Sequence, residues 1–207
     1  MDYSNLPPLN RDFYIQDLFS VMEQILGKVL ITNINNQLTA GRIAEVEGYI
    51  GEIDKASHAY PNKLTKRTSV MFGSGGLSYV FTVHMYHQFN FTVGIPGIAH
   101  AILVRALEPL DGIEFMKVRR DQNSRKNKSL IELTSGPGKL CIAMNITKDL
   151  YGLDLTDNKK VWIADDGYKL QSKNIVKTKR VGIDYAEDYI DKPWRWYIKD
   201  SPFISKK

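Results

Sequence analysis

The chain has 207 residues, 43% hydrophobic and 25% charged, with a formal net charge of +5; that is one large domain or two small ones, with apolar material enough for a real core and a basic excess that points to anionic partners, nucleic acid first. Its single cysteine, Cys141, excludes an internal disulfide and a cysteine-based zinc site, and its four histidines form no HExxH pair, so no metal is expected. No run reaches membrane-spanning length and the N-terminus lacks the basic and apolar regions of a leader, which predicts a soluble, intracellular protein with no membrane partner.

Residues 1–11, with Pro7-Pro8, read as an extended arm, and 12–207 as one domain. Leu18, Val21, Met22, Ile25 and Leu26 recur at helical spacing and Gly27 sits where a C-terminal cap belongs. A strand from Lys28 to Ile34 turns at Asn35-Asn36 into a second strand that ends at Glu47. In this second strand apolar and polar residues alternate from Ile43 to Glu47, so strict period two puts Ile43, Glu45 and Glu47 on one face and Ala44 and Val46 on the other. Gly48, Tyr49 and Gly51 follow. A carboxylate at a strand end beside a glycine and a tyrosine either presents an acid or base at the lip of a pocket or closes an ordinary hairpin.

From Ala59 to Arg67 the chain is a polar, basic loop carrying Lys63, Lys66 and Arg67. Leu77 to Val83 is a strand with Tyr79 and Phe81 on the same face, as core or as a stacking platform. His84 to Asn90 reads as a polar interruption before a strand from Phe91 to Ile95. In the apolar strand Ala99 to Leu107, Arg105 stands alone and must either reach solvent at a sheet edge or pair with a carboxylate such as Glu47. Gly112 to Arg120 is a short helix, and the stretch with Arg125, Lys126 and Lys128 is a basic loop. Ser135-Gly136-Pro137-Gly138 leads into a helix from Lys139 to Asn145, a start at which free N–H groups and Lys139 suit a phosphate. Strands at Val161 to Ala164 and from Ile175 to Ile183 precede an aromatic C-terminal stretch, Trp194-Arg195-Trp196-Tyr197. Few helices among many strands predict a compact α+β domain on a mixed, mostly antiparallel sheet.

Several stretches together resemble the alkyladenine (3-methyladenine) DNA glycosylases of base-excision repair: Arg42 to Tyr49 with Ser57-His58, Met71-Phe72, Leu103 to Pro109, Ser135 to Leu140, Arg180-Val181-Gly182-Ile183, Pro193 to Tyr197, and Ser201-Pro202. They stand in the family's order and span nearly the whole chain. The resemblance implies a single domain with a curved antiparallel sheet and neither metal nor cofactor. It also implies roles: Glu47 as general base, Tyr49 stacking on the extruded base, His58 contacting that base, Arg105 supporting Glu47 and the water, and Asn90 guarding against the amino group of normal guanine. The second stacking position, usually Tyr, is here Phe81. The wedge that fills the vacated duplex falls on His84, or on Met85 or Tyr86 if the alignment slips.

These readings converge on one chemistry. A purine inside a duplex is out of reach, so the nucleotide is turned out into a pocket. Lys63, Lys66, Arg67, Gly136 and Lys139 would grip phosphates of double-stranded DNA that holds a damaged purine, and water activated by Glu47 would hydrolyse the glycosidic bond. The rivals are a non-catalytic nucleic-acid-binding module and a nucleoside hydrolase. With no heptad seam or spare apolar helix face, a monomer is expected.

Overall fold

A computed structural model describes residues 1–121, 129–157 and 159–206, so Arg125, Lys126 and Lys128 of the predicted basic loop lie outside the described residues. Among the described residues five α-helices, α1 (Arg11–Tyr14), α2 (Leu18–Ile25), α3 (Ile113–Asp121), α4 (Leu130–Thr134) and α5 (Pro137–Ala143), accompany one eight-stranded sheet. Its strands are β1 (Val29–Ile34), β2 (Gln37–Tyr49), β3 (Ser78–Val83), β4 (Tyr86–Val93), β5 (His100–Asp111), β6 (Val161–Ala164), β7 (Ile175–Thr178) and β8 (Arg195–Ile198). The sheet is open, in the order β3-β4-β5-β2-β1-β6, with β8 and then β7 added beside the second half of β2. Every pairing between these strands is antiparallel, in keeping with the mostly antiparallel sheet expected.

α2 forms where its cap and apolar stripe predict, whereas the short α1 and α4 fall where the sequence suggested no helix. Asp17 caps α2 by accepting from the Phe19 and Ser20 N–H groups, and Leu18, Val21, Met22 and Ile25 turn one buried stripe to the sheet. That stripe joins Met116, Leu133, Leu140 and Cys141 in the main core, on the face of the sheet that also presents Val46, Val80, Phe89, Phe91, Ile102 and Val104. The arm is tied down: Leu9 N–H donates to the Ile163 carbonyl at 2.8 Å and Trp162 Nε1 donates to the Leu6 carbonyl at 3.1 Å, which covers the β6 edge.

Three local expectations change. First, strict alternation along β2 fails. Ile43 and Val46, three apart, both enter the main core, as do Val104 and Leu107 on β5, because the β2–β5 register slips between Ile43 and Val46. An irregular step of this kind re-aims every side chain beyond it. Glu45 and Glu47 therefore face away from the core, with Arg105, rather than sharing a face with Ile43. Second, His84 to Asn90 is no interruption: β3 and β4 form a hairpin with Val83 opposite Tyr86, and His84 (φ 45°) and Met85 (φ 71°) make its two-residue turn. Third, the strand predicted from Ile175 to Ile183 stops at Thr178, two residues before Arg180 turns inward, and the helix predicted from Lys139 already begins at Pro137.

One row of residues crosses five strands: Tyr79 pairs with Asn90, Asn90 with Leu103, Leu103 with Glu47 and Glu47 with Arg195. The loop after β2 then folds back over this face. Gly51 is where it passes closest, since a Cβ there would lie 2.4 Å from the Ala99 carbonyl oxygen. Gly51→Ala is expected to destabilise the fold by about 1–3 kcal/mol, as overpacking against a backbone atom that has nowhere to move does; urea unfolding with an unchanged midpoint would contradict this.

Candidate active site

Away from the main core the sheet carries a pocket of about 410 Å³, lined by residues from β3, β4 and β5, the loop after β2, Pro137 and the segment Val181 to Tyr185. Beneath it lies a group of buried charges. Glu47 is fully buried at the end of β2. Its Oε1 accepts the Val181 N–H at 2.8 Å, and its Oε2 accepts the Tyr49 hydroxyl at 2.8 Å and meets Arg105 Nη1 at 3.2 Å. Arg105 is thus paired rather than snorkelling, and the partner named from sequence is one of two. Its Nε also donates to Glu45 Oε1 at 3.0 Å, and Arg195 Nη1 donates to the same oxygen at 2.9 Å. Burial by itself lowers the pKa of Arg105, but the charges of Glu47 and Glu45 outweigh it and raise the value. Burial, and after it the Glu47 charge, push Tyr49 well above the usual phenol range, so its hydroxyl keeps the proton that it donates.

Arg180 holds the other side of Tyr49. It makes a bidentate pair with Asp54, both side chains fully buried, donates to the Gly48 carbonyl at 2.9 Å, and lies 4.7 Å from the Tyr49 ring centroid. Tyr49 is thereby fixed between a cation and the carboxylate its hydroxyl touches.

The opposite wall is aromatic. The Tyr79 and Phe81 rings lie 5.3 Å apart on one face, as their spacing predicts, and His58 meets Phe81 edge-on at 4.5 Å. The Tyr79 hydroxyl and His58 Nδ1 are 2.8 Å apart. Arg67, expected from sequence to meet phosphate, is exposed and turns one guanidinium nitrogen onto the His58 ring nitrogens, 2.8 and 3.1 Å away, with the group over Phe81 at 5.1 Å. Burial, then the Arg67 charge, lower the His58 pKa to about 4, which leaves a neutral imidazole in the pocket at neutral pH. Asn90 is 3% exposed and lines the pocket, its amide nitrogen donating to the Tyr79 and Gln88 carbonyls. Among the described residues no group of histidine, cysteine and carboxylate side chains has the arrangement of a metal site, and no helix is long and apolar enough to cross a membrane.

A sequence profile described as methylpurine-DNA glycosylase (MPG) matches residues 12–202. The chain belongs to this family. It is a DNA glycosylase, an enzyme of DNA repair whose partner is DNA. Among its relatives, a protein of Alkaliphilus oremlandii (strain OhILAs) is 48% identical over 203 residues, covering 96% of this chain and 99% of the relative. One of Clostridium perfringens (strain 13 / Type A) is 43% identical over 203 residues with the same two coverages, and one of Desulfitobacterium hafniense (strain Y51) is 45% identical over 203 residues, covering 96% and 98%. Each carries the name "Putative 3-methyladenine DNA glycosylase".

In this glycosylase the residues singled out from sequence divide by position. Tyr49, His58, Phe81, His84, Asn90 and Arg105 line the pocket, and Glu47 lies just below it. Lys63, Lys66 and Lys139 are exposed, and Gly136 precedes α5 as its N-terminal cap. Tyr86 packs against α5, where a Cβ on Gly138 would come within 2.9 Å of it, while Met85 at the hairpin tip is 92% exposed. The residues missed are those that hold others: the Val181 N–H on Glu47, the Arg180–Asp54 pair, Arg195 and Ser205 on Glu45. Arg180 sits in a run of cations, Lys177, Lys179 and Arg180, that reads as solvated surface, so only its place in the family's ordered segments marked it.

The half-buried His58 gives a direct test. Its pKa in the fold lies below the ordinary 6.5, so the unfolded chain takes up the proton first and stability is lost as pH falls from 6.5 towards 4. In an NMR titration His58 is expected to change charge near pH 4, and in Arg67→Ala to move up towards the ordinary value. A wild-type midpoint near 6.5 would show that the ring is neither enclosed nor covered by Arg67.

Proposed function

We propose that the glycosylase hydrolyses the N-glycosidic bond of alkylated or deaminated purines turned out of double-stranded DNA, with water activated by Glu47. The observation that carries this reading is the Glu47 carboxylate, buried at the pocket floor and held by Arg105, Tyr49 and the Val181 N–H. A carboxylate has about four acceptor positions. Three are in use, and the one left on Oε1 is where the attacking water donates. The transition state has oxocarbenium character, and the Glu47 charge also stabilises it.

The extruded base is held by the aromatic walls, Tyr49 on one side and Phe81 on the other. Alkylation at N3 or N7 makes a purine cationic, which strengthens its contact with aromatic faces by roughly 0.5–2 kcal/mol and makes it a better leaving group. His58, kept neutral, contacts the base without repelling that charge. Asn90, fixed by two carbonyls, meets the exocyclic amino group of normal guanine and rejects it, which is selection by clash. Relatives named for 3-methyladenine support that base as a substrate; 7-methylguanine, hypoxanthine and ethenoadenine are chemically close to it.

Lys63, Lys66, Gly136 and Lys139 meet the phosphates. The hairpin tip fills the space the nucleotide leaves, and exposure favours Met85 for that task, beside His84, over the packed Tyr86. A binding module without catalysis has no use for a buried, triply held carboxylate, and a nucleoside hydrolase has none for an exposed hairpin tip.

Glu47→Gln is expected to slow base release from alkylated duplex by about 10²–10⁴-fold, the usual share of a general base, while affinity for damaged DNA stays within roughly tenfold. Near-normal turnover would remove Glu47 from the chemistry.

The described pocket holds no lysine amine, so water is the nucleophile and the product is an intact abasic strand. Borohydride present during turnover is expected to trap nothing. A covalent protein–DNA adduct would overturn the water mechanism and name the amine.

A further inference from the structure

We infer that Ser205, carried by the segment after β8, is a positioning residue for base release: together with Glu45 it sets the plane of the Arg105 guanidinium and, through that plane, the Glu47 carboxylate. This rests on the reading of Glu47 as the general base.

Only one nitrogen of Arg105, Nη1, faces Glu47. The other two face away from the pocket floor, Nε towards Glu45 Oε1 at 3.0 Å and Ser205 Oγ at 3.3 Å, and Nη2 towards Ser205 Oγ at 3.1 Å. A guanidinium is rigid and planar, so fixing two of its nitrogens fixes the third. Ser205 in turn is fixed by Glu45. Its hydroxyl donates to Oε1 at 2.9 Å while accepting from Arg105, and its N–H donates to Oε2 at 2.5 Å. Arg195 closes the group: its Nη1 donates to Glu45 at 2.9 Å and to the Lys206 carbonyl at 3.0 Å, which holds the segment in place from its other side.

The charges point the same way. Glu45 and Glu47 are both fully buried and face one arginine; Arg195 brings the second positive charge, so the four side chains balance. If Glu45 served only to neutralise Arg105, it would not need both the hydroxyl and the N–H of a residue 160 positions away. Glu45, Arg195 and Ser205 do not line the pocket. Their effect therefore falls on the rate of the chemical step and leaves substrate binding alone. Glu45 is no alternative to Glu47 as the base, since its carboxylate is taken up by two arginines and Ser205.

The test compares single-turnover base release, affinity for an alkylated duplex and thermal midpoint in the full chain carrying Ser205→Ala, Ser205→Thr, Glu45→Gln or Glu47→Gln. Loss of an outer hydrogen-bond partner at a metal site costs roughly 10–100-fold, and a loss of about tenfold is expected for Ser205→Ala, with affinity and midpoint near wild type. Ser205→Thr, which keeps the hydroxyl, should recover most of the rate, and Glu45→Gln should lose as much as Ser205→Ala. An undiminished rate in Ser205→Ala, or a loss matched by weaker binding or a lower midpoint and not recovered by threonine, overturns the proposal. If Glu47→Gln is inactive while Ser205→Ala is fully active, this proposal alone fails. If Glu47→Gln stays active, the assignment of the base fails and the positioning role with it.

Discussion

A guanidinium enclosed between two carboxylates is the constraint on which this structure turns. Arg105, Glu45 and Glu47 are all buried, and any one of them without the others would be a bare charge in the interior. Keeping them requires hydrogen bonds from every side, and apart from that of the neighbouring Tyr49 on Glu47 these come from distant parts of the chain: Val181 on Glu47, Arg195 and Ser205 on Glu45. The sheet order follows from that need. The strand that carries both carboxylates lies between the strand that carries Arg105 and the strand that carries Arg195.

The two faces of the sheet are given to different tasks. One packs apolar side chains from all four of the longer helical segments, α2 to α5, into the main core. The other has a smaller apolar cluster around Tyr79, Met71 and Ala101, and beside it the polar row from Asn90 to Arg195. The irregular step where β2 meets β5 is what allows this. Without it Ile43 and Glu47 would share a face, and either an isoleucine would enter the charged floor or a glutamate would enter the core.

Much of the site was legible from sequence, for physical reasons that differ by residue. Arg105 stood out because a lone charge in an apolar strand demands a partner, and Tyr79 and Phe81 because period two puts their rings together. The β1–β2 turn was marked by Asn35-Asn36, which tolerate positive φ. The turn at His84-Met85 was hidden because it lacks the glycine or asparagine that usually marks such a backbone, and methionine rarely adopts it. The step at Ala44 was hidden too, since nothing local distinguishes an inserted residue from a regular one. The family resemblance supplied roles for Glu47 and Asn90 that spacing alone left open. Residues that hold others, such as Arg180 and Ser205, carry no local signature, because their partners lie more than a hundred positions away in the chain.

The late position of β8 has a consequence for how the enzyme is made. Glu45, Glu47 and Arg105 are synthesised by the time the first half of the chain is made, but Arg195 and Ser205 follow ninety and a hundred residues after Arg105. At translation rates of about 5–20 residues per second, the nascent chain spends several seconds with two carboxylates sharing a single arginine and one edge of β2 unpaired beyond β1. The charges of the group balance only once β8 has docked beside β2, so the order of the sequence leaves this part of the interior to be completed last.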